Sequence, residues 1–217
     1  MNKTLLITLD FPPLTGGVAH YYQQRVAKMN PDEIVVLMNK VSGAGQSNSE
    51  VKIHYKKFFC KFIWPHWIPL VWHIIKNARQ EKASHLWVGQ VLPVGTATII
   101  ANKFLHLPYT VTCHGNDLLR AKKHPRKFSL TKKILAGAGN VEANTEFTKN
   151  ILTQDFFVLS DKIKVIRPEN TLGKGMASRE NMDDFIFENK LSGKKILPSV
   201  GRLVESKGFD QVIQASF

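Results

Sequence analysis

Short apolar runs rich in Ile, Val and Leu alternate along this chain with longer segments whose apolar residues recur at helical spacing. That alternation is the pattern of a parallel sheet covered by helices on both faces, an α/β fold. The first run is Thr4 to Leu9. After a loop of Pro and Gly, Val18, Tyr22, Val26 and Met29 share one helical face, and Asn30-Pro31 stops that helix. Further strands are read at 34–38, 51–55, 84–88, 109–112, 140–143 and 162–166, and helices at 67–80, 94–105, 128–136 and 146–154. Thr145 is placed to cap the last of these helices. Residues 167–193 are polar and poor in β-branched side chains, which predicts a linker; a strand at 195–200 and a helix from Gly208 then open a second unit.

Composition bounds this picture. Of 217 residues 43% are apolar, enough for one full core and the beginning of another. Thirty Lys and Arg against 17 Asp and Glu give a formal charge of +13, which favours acidic partners: phosphates, anionic lipids or nucleic acid. Cys60 and Cys113 are far apart and lack a metal-type spacing, so a reducing, cytoplasmic compartment is expected, with no disulfide and no metal site. The apolar start ends at Asp10, too early for a signal-peptide core, and the greasy stretch from Phe58 to Ile75 is interrupted by Lys61, Pro65, His66, Pro69 and His73. A peripheral seat on a membrane is compatible with that stretch; a spanning helix is not.

Three segments carry candidate chemistry, and each follows a predicted strand, where open parallel sheets bind ligands. The turn Phe11-Pro12-Pro13-Leu14-Thr15-Gly16-Gly17 runs into a helix whose unpaired N–H groups and positive dipole end suit a phosphate; a tight strand-to-helix turn is the plainer alternative. The turn lacks G-x-G-x-x-G spacing, and the second strand ends in Asn39-Lys40 where a dinucleotide enzyme needs an acid. His114-Gly115-Asn116-Asp117 offers a hydrogen-bonding ring and a carboxylate that can grip sugar hydroxyls. In Gly201-Arg202-Leu203-Val204-Glu205-Ser206-Lys207-Gly208, Arg202 and Lys207 bring two cations to a helix start.

Together, FPPLTGGVAHYY, TCHGND and GRLVESKGFDQVIQA resemble the motifs of the retaining glycosyltransferase family 4, whose fold has two facing Rossmann-like domains. The resemblance implies a Rossmann-like acceptor-side domain over 1–168, an interdomain linker over 169–193, and the start of a nucleotide-sugar-binding domain over 194–217. It implies that Gly16, Gly17, Arg202 and Lys207 bind the donor diphosphate, that His114 lies beside the transferred sugar as the catalytic-site residue, and that Asn116 and Asp117 meet the acceptor. The implied donor is a UDP- or GDP-sugar used without cofactor or metal, the implied acceptor a glycan or lipid-linked glycan of surface polysaccharide synthesis. Arg167-Pro168-Glu169-Asn170 departs from the family's usual interdomain turn, and the carboxylate pair expected later in the second domain lies past Phe217. The 217 residues alone are therefore expected to bind donor weakly and not to transfer sugar.

Two further readings stay beside this one: a non-catalytic sugar-nucleotide-binding fragment, and an epimerase or phosphorylase on the same fold. A nucleic-acid module finds no helix-turn-helix, zinc or RNP pattern. Residues 52–64, rich in Lys, Phe and Trp, and the cations of 122–127 are candidates for an anionic membrane surface; equally, the aromatics belong to the core and the lysines to a solvated face.

Overall fold

The computed structural model describes residues 3–41, 50–169, 179–201 and 203–216. Seven strands, β1 (Thr4–Thr8), β2 (Ile34–Asn39), β3 (Lys52–Lys56), β4 (His85–Val88), β5 (Tyr109–Cys113), β6 (Asn140–Ala143) and β7 (Ile163–Val165), form one sheet in the order β3-β2-β1-β4-β5-β6-β7. Every pairing is parallel. The chain winds outward from β1 to β3, returns to β4 and winds the other way, so strand order reverses between β1 and β4. In such a sheet a crevice opens beyond the carboxyl ends of the two strands at the reversal.

The central strands are buried on both sides, which is why they read as continuous apolar runs. Leu6, Val36, Met38 and Trp87 point to one face, where α1 (Gly17–Ala27) covers them with Tyr21, Tyr22 and Val26. Leu5, Ile7, Leu37, Val88 and Val111 point to the other, under α2 (Ile68–Gln80), α3 (Thr96–Leu105), α4 (Gly115–Lys122), α5 (Pro125–Gly137) and α6 (Glu146–Gln154). The Rossmann-like class expected from the sequence is the class observed. Thr145 caps α6, its Oγ1 accepting from the Thr148 N–H at 3.1 Å.

Three local expectations are corrected. The pattern assigns no element to 114–127, yet α4 lies there and α5 begins at Pro125 rather than Phe128. α4 is only eight residues long and shows the core just Leu118 and Ala121, an i, i+3 pair too sparse to register as a period; Pro125 suits a first helical turn, where its missing N–H costs nothing. The helix read at 94–105 starts at Thr96, after a wide turn over Val91–Gly95 in which Leu92 is extended. Residues 195–200 do not form a strand. A parallel strand is held only by ladders to its neighbours, and no described residue pairs with these.

The chain divides into two compact units, Met1–Glu169 and Asn170–Phe217. The first contains the whole sheet. The second, described by itself, has α7 (Arg179–Glu188) inside the segment expected to be a linker, then a 3-10 turn at Glu205–Lys207 and α8 (Phe209–Ala215).

Candidate active site

At the reversal of strand order the exits of β1 and β4 are tied together by side chains. Gln90, buried just past β4, accepts from the Leu9 N–H through Oε1 at 3.0 Å and donates through Nε2 to Thr8 Oγ1 at 3.0 Å and Asp10 Oδ2 at 3.1 Å. Thr8 Oγ1 also accepts from the Asp10 N–H at 3.1 Å. Gly89 permits this closeness: a Cβ there would stand 2.9 Å from Thr8 Cβ and 3.0 Å from the Ile7 carbonyl oxygen. The Asp10 carboxylate is thus held at the crevice by the Gln90 amide. It escaped the sequence reading, where it figures only as the end of an apolar run; a buried Gln just past a neighbouring strand is the signal that pairs with it.

The loop after β1 leads to Gly16, at φ +152°, a conformation that side chains disfavour, and to Gly17, the first residue of α1. A Cβ on either glycine would meet nothing within 4 Å, so both border open space. α1 starts without a side-chain cap, and its first N–H groups have no partner within the helix. One helical turn further on, Tyr21 and Tyr22 stand edge-on to the His114 ring, with centroids 5.7 and 5.9 Å away.

His114 caps β5 and precedes α4. Its Nε2 lies 3.2 Å from the Tyr22 hydroxyl, and that hydroxyl donates its single hydrogen to the Gly89 carbonyl. Nε2 must therefore carry the ring's hydrogen and donate it, leaving Nδ1 as a bare acceptor. Burial lowers the imidazole pKa to about 4, so the ring is neutral at physiological pH. It can accept from a hydroxyl; it cannot supply a positive charge.

A polar network holds α1 in the place this geometry requires. Arg25 donates to both Glu142 oxygens, at 2.9 and 3.2 Å, and to the Tyr21 hydroxyl at 2.9 Å, and its guanidinium lies 4.8 Å from the Trp87 ring centroid. Thr112 donates to Glu142 at 2.8 Å and accepts from Trp87 Nε1 at 2.8 Å. Burial works against the Arg25 charge, but Glu142 outweighs it and the guanidinium pKa rises. No motif in the sequence announces this network, because its members are spread from residue 21 to residue 142.

Asp117, in the first turn of α4, donates its N–H to the His114 carbonyl at 2.9 Å. Its Oδ2 is buried without a hydrogen-bond partner. Burial raises the carboxyl pKa to about 6, with Asp10 adding to the rise and Arg120 opposing it. The carboxyl borders a cavity of about 430 Å³ between Trp67, Pro93, Arg120, Lys127 and Leu130. Asn116, its neighbour in sequence, is exposed.

His114 and Asp117 thus stand together, with α1 packed against the imidazole; Gly16 and Gly17 open that helix one turn away. Lys207 belongs to the second unit, exposed at the end of the 3-10 turn just before Gly208, which sits at φ +64°. Arg202 lies outside the described residues. Among the described residues no group of three His, Cys, Asp or Glu side chains is arranged to hold a metal ion.

The sequence profile of Glycosyltransferase Family 4 matches residues 15–168, a span running from the Gly16-Gly17 turn through His114 and Asp117 to the last strand of the sheet. The chain belongs to this family. A curated relative from Corynebacterium glutamicum, a GDP-mannose-dependent monoacylated alpha-(1-6)-phosphatidylinositol monomannoside mannosyltransferase, is 26% identical over 124 residues, 54% of this chain and 31% of its own length. The family 4 fold is shared with HepE of Anabaena, solved with UDP and glucose, at a TM-score of 0.75 and 16% identity over 100% of this chain. The UDP-N-acetylglucosamine 2-epimerase of Rickettsia bellii follows at a TM-score of 0.53 and 14% identity, over 89% of this chain and 50% of its own. At such identities the two structures share architecture, not a choice of chemistry. The chain spans about a third of the curated relative's length and 58% of HepE's.

Proposed function

We propose that the first unit is the acceptor-side half of a glycosyltransferase that moves a sugar from a nucleoside-diphosphate sugar to a lipid-linked or glycan acceptor, with retention of configuration, in surface polysaccharide synthesis. The observation that carries the reading is the neutral, acceptor-ready His114 packed against the helix that Gly16 and Gly17 open, at the strand-order reversal. In this reading the α1 N-terminus meets the donor phosphate, Arg202 and Lys207 supply positive charge to the departing diphosphate, and His114 Nδ1 accepts from a hydroxyl of the transferred sugar. The acceptor oxygen bonds to the anomeric carbon on the face from which the phosphate leaves, and the phosphate oxygen takes the acceptor's proton. No side-chain nucleophile is then required. Asp117 orients the acceptor, with Asp10 beside it and Asn116 at its edge.

The family assignment, a relative that uses GDP-mannose and a neighbour solved with UDP and glucose support a UDP- or GDP-sugar donor. The same relative, named for a phospholipid substrate, supports a membrane-borne acceptor. The aromatic, basic segment after β3 divides in two. Phe58 is fully buried in the core, whereas Phe62 and Trp64 are 98% and 83% exposed and Ile63, Ile68 and Trp72 are exposed beside Lys57 and Lys61. His66 closes this loop on itself, its Nδ1 3.0 Å from the Cys60 and Ile63 carbonyls, while the Cys60 N–H donates to the His66 carbonyl at 2.8 Å. These exposed apolar side chains in one segment with exposed Lys57 and Lys61, together with exposed 122–127, suit peripheral attachment to an anionic bilayer at the inner face of the cell membrane. No helix among the described residues is long and apolar enough to cross one.

The test is a titration of the chain with UDP-glucose and with GDP-mannose, followed by amide NMR, with an oligonucleotide of equal charge as control. Shifts at Gly16, Gly17 and His114 with a sugar nucleotide alone are expected. Shifts with the oligonucleotide only, or with neither sugar nucleotide, would overturn the reading.

A further inference from the structure

At the amino ends of β6 and β7 a cavity of about 460 Å³ lies between the last turns of α5 and the segment that joins α6 to β7. Phe156 and Val158 turn inward and are buried, the Phe156 ring 4.9 Å from that of Phe128. Phe157 and Leu159 line the cavity and stay 71% and 67% exposed. Phe157 also has φ +59°, a left-handed conformation that suits glycine and strains a bulky aromatic residue. The turn around it is closed, with the Val158 N–H donating to the Leu152 carbonyl at 3.0 Å. Glycine at this solvent-facing position would relieve the strain and remove an exposed ring, so Phe157 answers a demand other than folding.

Three lysines ring the recess. The Lys132 ammonium lies 4.7 Å from the Phe157 ring centroid, and Lys133 beside it is exposed. Lys162 Nζ donates to the Ala136 carbonyl at 3.0 Å, which holds it against the end of α5 with donors to spare. Among the described residues none of the three has a carboxylate partner: Asp155 is paired with Lys122 at 2.6 Å, and Asp161 accepts from the Lys162 backbone N–H at 2.9 Å. An apolar recess under unpaired cations is complementary to an apolar side chain flanked by carboxylates.

We propose that this groove docks an acidic amphipathic helix of a partner protein, its apolar side chains in the recess and its carboxylates on Lys132, Lys133 and Lys162. A second copy of the same patch would set lysines against lysines, which disfavours self-association through it. A bilayer is the poorer occupant, because a flat interface leaves a concave recess unfilled. The exposed side chains of 62–64 also follow β3, at the carboxyl end of the sheet, so a membrane that seats them does not reach the amino ends of β6 and β7. For the same reason the groove leaves the crevice free, and a docked partner tethers the domain without occupying the candidate site.

The experiment is fluorescence anisotropy of labelled peptides titrated with the full chain. The probe is a peptide of Glu-Glu-Leu-Phe repeats, whose period keeps Leu and Phe on one helical face; the controls are Glu-Glu-Ser-Ser and Lys-Lys-Leu-Phe repeats of the same length. The probe is expected to bind at least about tenfold more tightly than either control, and Lys132→Ala/Lys133→Ala should erase that margin. Phe157→Gly should raise the Tm and weaken probe binding about tenfold, a loss that misfolding does not explain. Equal binding of probe and Glu-Glu-Ser-Ser control would reduce the groove to a charge effect and overturn the proposal, as would unchanged probe binding in Phe157→Gly. A fourth arm measures sedimentation with phosphatidylglycerol vesicles: equal sedimentation of Phe157→Gly and the unmodified chain is expected, and a loss in Phe157→Gly would assign the patch to a bilayer instead. No sugar nucleotide enters these measurements, so their outcome is independent of the transferase reading.

Discussion

The two faces of the sheet are held by different forces. Under α2 to α6 the contacts are those of Leu, Ile, Val and Ala side chains, which stabilise in proportion to buried area and accept many arrangements of similar volume. Under α1 the lower half of the helix rests on Arg25, Tyr21, Glu142, Thr112 and Trp87, joined by directed contacts that accept one arrangement. That network adds little net stability to the apolar cluster beside it, because desolvating a charge pair offsets its attraction, but it fixes where α1 sits. Tyr21 and Tyr22, and through them His114, inherit that precision. Apolar burial on both faces makes the domain stable; the network under α1 makes the site exact.

The largest effect should come from breaking the directed face. Glu142→Ala leaves Arg25 without its carboxylate and is expected to cost about 3–5 kcal/mol in urea unfolding. Arg25→Met/Glu142→Leu should recover most of that loss and still blunt the His114 response to a sugar nucleotide, which separates stability from geometry. On the other face, Leu118→Ala removes a fully buried side chain, with an expected cost of about 2–4 kcal/mol and an unchanged His114 environment.

A smaller effect has the opposite sign. The Asp117 carboxyl has a folded pKa of about 6 against an ordinary 3.8, so the folded state binds its proton more tightly than the unfolded chain. Its ionised form costs stability at neutral pH, and that cost fades as pH falls from about 7 to 4. Burial opposes the charge most, Arg120 favours it and Asp10 opposes it. Asp117→Asn should therefore stabilise the chain by about 1–2 kcal/mol at pH 7, after allowance for partial solvent access, and lose that advantage near pH 4. The smallest stability change belongs to Gly17→Ala, whose methyl enters open space: near zero in unfolding, with sugar-nucleotide shifts reduced about tenfold or more.

Much of the fold was legible because buried parallel strands write themselves as unbroken apolar runs; Ile34–Met38 is read within one residue of the observed strand. α4 was not, since two buried residues make no period. The strand expected at 195–200 failed because local composition proposes an extended segment but only neighbouring strands can hold it. In the candidate site, His114 and Asp117 were singled out by their place after a strand. Asp10, Gln90, Tyr22 and the Arg25 network were not, because what makes them matter is contact across as many as 117 positions of sequence. The aromatics after β3 needed the structure to be sorted, Phe58 inward and Phe62 and Trp64 outward.

The account depends most on His114 being neutral, with its hydrogen on Nε2, held so by Tyr22. Nitrogen-15 NMR of the imidazole between pH 5 and pH 8 tests this directly. The expected result is an Nε2–H ring that does not titrate in that range, and that becomes a mixture of tautomers in Tyr22→Phe. A ring that titrates near its ordinary pKa of about 6.5, or that carries its hydrogen on Nδ1, would contradict the account.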